Sequence, residues 1–116
     1  MAATHTHTLT AGDQITGRPW VNGYETATRK GYVVSTEDRH VQDGYVLVWF
    51  YGMGNFSRDE AGKAVQPIMV SKLAVVGHIA SMPAPRLSRL ARKLNRSQQS
   101  ELAPLYQVLL RLPGVR

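Results

Sequence analysis

Cysteine is absent from this chain of 116 residues. That removes disulfides, thiolate nucleophiles and every cysteine-ligated zinc or iron–sulfur site. It agrees with a reducing compartment and leaves stability to packing alone. Long apolar runs are also missing, and none approaches the roughly 20 residues needed to cross a bilayer. The opening stretch, MAATHTHTLTAG, has neither the basic n-region nor the apolar h-region of a secretory signal. The expected location is therefore the cytoplasm. Charged residues are sparse, at 19%. Scarcest of all is negative charge near the C-terminus, where Glu101 is the sole acid in residues 84–116.

What is present begins with an uneven charge distribution. The net charge is +6. Residues 1–83 hold seven Lys/Arg and seven Asp/Glu and sum to zero. Residues 84–116 hold Arg86, Arg89, Arg92, Lys93, Arg96, Arg111 and Arg116 against Glu101 alone, so the whole excess lies there. An asymmetry of this kind is an argument about partners, not about fold.

The chain length suits one modest core. Residues 1–10 are polar and rich in Thr and His, and read as an extended arm. Residues 11–80 read as a small β domain. GYVLVWFY (44–51) is its strongest strand, dense in β-branched and aromatic residues, and KGYVVST (30–36) is a second. QDG (42–44) has the turn chemistry to join them, because Asp-Gly accepts positive φ cheaply. VQPIMV (65–70) and LAVVG (73–77) are two more short strands with a tight Ser-Lys connection, and a first strand is expected near residues 13–16. GRPWVNGYETA (17–27) reads as an irregular loop, and so does GMGNFSRDEAGKA (52–64). Five short strands in this span predict a small closed barrel or a rolled antiparallel sheet.

The order AGDQITG, KGYVVS, GYVLVWFYG, PIMVSKLAVV resembles the small Src-homology-3-like barrels, including the KOW type, over residues 11–77. Such domains often open with Gly-Asp before the first strand, here Gly12–Asp13. They often close with an apolar strand, a one-turn Ser-x-Leu helix and a final strand, with Ser71–Leu73 in that place. The resemblance implies a binding domain for RNA, DNA, peptides or proteins, which narrows function little.

Residues 84–116 read as a helical extension. MPAP (82–85) ends the β region, since two prolines cannot continue a ladder. Leu87, Leu90, Ala91 and Leu94 then recur at the helical period. Arg86, Arg89, Arg92, Lys93 and Arg96 occupy the neighbouring arc of roughly 120°. Residues 95–103 read as a polar connection. A second helix follows, with Pro104 in its first turn and Leu105, Leu109 and Leu112 on one side.

Signals for catalysis are poor, and the expectation is a non-catalytic protein without cofactor or metal. His5 and His7 would share a strand face but have no third ligand nearby; His40 and His78 read as loop and packing residues. GMGN lacks the Lys-Ser/Thr and helix of a phosphate loop. The adjacent carboxylates Glu37–Asp38 and Asp59–Glu60 are sequence neighbours, not a positioned acid/base pair.

Eight of the nine aromatic residues lie between Trp20 and Phe56. On the strongest strand, Tyr45, Leu47, Trp49 and Tyr51 share one face while Val46, Val48 and Phe50 share the other. The face carrying Tyr45, Trp49 and Tyr51 is either a platform for stacking bases or a seat for the C-terminal helices, and the apolar helix faces, which need a cover, favour the seat.

The basic arc forgoes the mixed-sign i,i+4 pairs of a solvated helix face, each worth a few tenths of a kcal/mol. Arg outnumbers Lys in it, which suits phosphate or carboxylate recognition. The expected partner is the phosphate backbone of DNA or RNA, bound without sequence preference. The alternative is an acidic protein surface, reached by an assembly subunit or a small inhibitor. A membrane surface ranks last, because the helix is short and lacks interfacial aromatics. An oligomer is compatible with either partner.

Overall fold

The structure is a computed structural model; it describes residues 9–21, 23–37, 43–50, 65–97 and 100–112. In chain order the strands are β1 (Asp13–Gly17), β2 (Trp20–Val21), β3 (Tyr24–Glu25), β4 (Arg29–Ser35), β5 (Tyr45–Trp49), β6 (Val65–Met69) and β7 (Ala74–His78). The helices are α1 (Ala84–Ser97) and α2 (Ala103–Leu110). Five strands form one antiparallel sheet in the order β6-β5-β4-β1-β7, and β2 and β3 form a separate small hairpin. The protein is thus mainly β, with two C-terminal helices.

Burial explains why these segments pair. Gly31 to Ser35 of β4 are all buried, so the central strand is covered on both sides. On one face, Ile15, Val33, Val46, Val48, Phe50 and Ile68 are fully or nearly fully buried. The other face carries Tyr32 opposite Trp49, with ring centroids 6.1 Å apart and planes tilted by 31°. Bulges interrupt the β1–β7 ladder at Gln14/Ile15 and the β4–β5 ladder at Val33/Ser35, and such insertions bend a sheet. Gly31 permits a close approach of two backbones: a Cβ on it would sit 2.7 Å from the Trp49 carbonyl oxygen. Gly44, before β5, takes φ 85°, a turn conformation that glycine adopts without a Cβ clash.

Three sequence expectations need correction. Residues 17–27 are not wholly irregular, because β2 and β3 pair there with Gly23 at φ 83° in their turn. The Gln66 side chain holds this hairpin to β6: its Nε2 donates to the Trp20 carbonyl and its Oε1 accepts from the Trp20 N–H, both at 2.8 Å. A side-chain amide here substitutes for a strand partner, which strand periodicity does not reveal. The polar connection is shorter than 95–103. Helix α1 runs on to Ser97, and a single 3-10 turn, Ser100–Leu102, leads straight into α2. Leu102 is buried, and that burial draws the turn onto the body. Finally, Leu9, assigned to the arm, belongs to the core, while residues 1–8 lie outside the described residues.

Leu87, Leu90 and Leu94 of α1, with Leu102, Leu105 and Leu109, join the same buried cluster as the sheet. At about 1.5–3 kcal/mol for each buried leucine, these side chains are what fix the helices on the body. Helix α1 opens after Pro83, whose carbonyl accepts from the N–H groups of Arg86 and Leu87.

Candidate functional site

With the leucines of α1 turned inward, helical geometry sets its basic arc at the margin of the contact with the sheet. Arg86, Arg89, Arg92, Lys93 and Arg96 are all exposed. Together with Tyr32, Met82 and Leu90 they line a single recess of about 360 Å³. All five cations singled out from the sequence are therefore brought to one place. Among the described residues, no carboxylate lines this recess and no ion pair reaches Arg86, Arg89, Arg92 or Arg96. Glu37 lies elsewhere, lining a cleft of about 700 Å³ beside α2 with Glu101 and Arg111. Asp59 lies outside the described residues. The first turn of α1 holds no acid, so the positive end of the helix dipole adds to the field of Arg86.

Of the aromatic face, Trp49 is only 4% exposed and offers no open surface for a stacked base. Tyr45 is half-buried, and Tyr51 lies outside the described residues. Leu47, on the same face as Trp49, lines the cleft beside α2, and α2 packs against β4. Sequence reasoning missed Tyr32 and Met82 as walls of the basic recess. Tyr32 reaches the arc only through tertiary packing, for which local periodicity carries no signal, and Met82 precedes α1, outside its helical repeat.

The remaining polar groups hold structure. Asp13 accepts from the Thr10 N–H at 2.8 Å. His78 lies 3.9 Å from the Asp13 carboxylate, while its Nδ1 accepts from the Ala80 N–H at 2.9 Å. Lys72 pairs with Glu25 at 2.7 Å and stands 5.5 Å from the Trp20 ring centroid. The hydrogen bond from Lys72 holds the Glu25 carboxyl below its ordinary value of 4.5. His5, His7 and His40 lie outside the described residues; among those described, no group of three His, Asp or Glu side chains is placed to hold a metal ion. No described helix is long and apolar enough to cross a membrane.

Residues 1–102 match the model of a family of unknown function, DUF6409. The chain belongs to this family. The matched region takes in the sheet and the whole of the basic helix, and stops before α2. No curated protein and no solved structure matches the chain.

Proposed function

We propose that this protein binds nucleic acid without sequence preference, holding phosphates along Arg86, Arg89, Arg92, Lys93 and Arg96, and that it acts by binding and not by catalysis. One observation carries the reading: five cations line one recess from which, among the described residues, carboxylates are missing. Like charges gathered this closely repel one another, and an anionic ligand relieves the repulsion. Guanidinium forks suit phosphate oxygens. Apart from Tyr32, the described lining of the recess is cationic or apolar, so charge carries the affinity. A cytoplasmic location fits this reading. We also propose that the sheet is a Src-homology-3-like body. Gly12–Asp13 at the start of β1 and the single 3-10 turn, Val70–Lys72, between β6 and β7 support that resemblance.

The test is binding to short DNA and RNA at several salt concentrations. With four or five phosphate contacts, log affinity should fall against log salt with a slope of roughly −4. Replacing Arg89 and Arg92 together by Glu should abolish binding at low salt. An affinity unchanged by that double substitution rejects the proposal. The second reading, docking on an acidic protein surface, uses the same charges. It is favoured by Val75 and Val76, which are 51% and 60% exposed on the edge strand β7. A partner recovered after nuclease treatment would support it.

A further inference from the structure

The basic recess does not end at Arg86. That residue also walls a second recess of about 310 Å³, lined by Gln14, Ile15, Thr16, Lys30, Gly31 and Val76. Strand register explains the adjacency. Gln14 stands opposite Tyr32, and Thr16 opposite Lys30. Lys30 and Tyr32 are two residues apart on β4 and so share a face. Tyr32 lines the first recess, Lys30 lines the second, and Arg86 lines both. Gly77 leaves room for the Gln14 side chain beside this path, since a Cβ there would lie 2.5 Å from Gln14 Oε1. Lys30 is exposed and, among the described residues, makes no ion pair.

We propose that the two recesses form one continuous track for a single strand of nucleic acid, with Lys30 as its sixth cation and Gln14 and Thr16 as neutral hydrogen-bonding groups. This rests on the nucleic-acid reading above and adds the strandedness and the path. The helical part, from Arg86 to Arg96, spans about 15 Å at the α-helical rise, and Lys30 extends it onto the sheet. The cations line hollows between a helix and a sheet. A duplex presents its phosphates on a stiff rod with a persistence length of about 150 base pairs, and such a rod meets only groups that stand proud. A single strand can lower its backbone into the hollow and follow it. Its unpaired base edges, and the 2′-hydroxyls of RNA, are also free to meet Gln14 and Thr16. Tyr32 is 5% exposed, so stacking adds little, and charge sets the affinity.

The experiment measures fluorescence anisotropy of a labelled oligothymidylate of roughly 12 nucleotides, within the span one small domain covers, and of a duplex of equal length. Salt is varied between about 50 and 200 mM. The proteins are the full chain, Lys30→Gln, Lys30→Arg, Arg89→Gln and, as control, Arg29→Gln. Arg29 is exposed and adjacent in β4 but lies on the opposite face. The single strand should bind more tightly than the duplex. The salt slope should shrink by about 0.7 for Lys30→Gln, the value of one single-strand phosphate contact. It should return with Lys30→Arg and stay unchanged with Arg29→Gln. If Arg89→Gln flattens the slope and Lys30→Gln does not, the extension onto the sheet is wrong while nucleic-acid binding stands. Tighter binding of the duplex overturns the single-strand assignment. Failure of the unaltered chain to bind either probe overturns both.

Discussion

At the scale of single residues, the sheet depends most on a side chain that is not there. Gly31 has no room for a Cβ, because the Trp49 carbonyl lies 2.7 Å from where that atom would sit, with Phe50 and Val48 close behind. Relief would require the β4–β5 ladder itself to move. Gly31→Ala should therefore lower stability by about 1–3 kcal/mol, as overpacking does, read as a reduced urea midpoint. A variant as stable as the parent would show that the two strands are further apart. Glu25 makes a prediction about acid. Its folded value lies below 4.5 because Lys72 donates to it. The unfolded chain thus takes up the proton first as pH falls. The contribution of the pair is complete above pH 4.5 and fades as pH drops through the lower folded value. In an NMR titration, Lys72→Met should move the Glu25 midpoint back up toward 4.5; an unmoved midpoint would remove Lys72 as the cause.

At the scale of elements, the β2–β3 hairpin is two residues per strand and cannot stand alone. Its anchor is Gln66, and Gln66→Ala leaves the Trp20 N–H and carbonyl without those two partners. A loss of about 1–3 kcal/mol is expected, together with faster amide exchange at Trp20. Protection at Trp20 that survives the substitution would show the hairpin held by other means. This element also marks the limit of what the sequence discloses. The longer strands were legible because β-branched and aromatic residues concentrate in them, and both helices because their leucines repeat at the helical period. The hairpin was not, since a two-residue strand has no periodicity and its anchor lies 46 positions away. Leu9 and Leu102 were hidden for a related reason, each being a lone apolar residue in a polar stretch. The five cations of the groove could be read from the phase of α1. Tyr32 and Lys30 could not, because only the tertiary fold brings β4 to the recesses that Arg86 lines.

At the scale of the whole molecule, sheet and helices share one apolar interior, so they should unfold together. Leu90→Ala, in the helix, should cost about 2–5 kcal/mol. Tryptophan fluorescence, from Trp20 in β2 and Trp49 in β5, and helical circular dichroism should then lose their signals in a single coincident transition. Two separated transitions would mean that the helices melt off an intact body, and the groove with them. The order of the sheet also constrains how the chain acquires its shape during synthesis. β1 sits between β4 and β7, and Ile15 is paired with Val75, sixty positions further on. A nascent chain must therefore carry one open flank of β1 until β7 has left the ribosome, and the arginines of α1 emerge only after that flank can be sealed. Contacts this distant in sequence make for slow folding, and the charged groove takes form only after β7 is available to close the sheet.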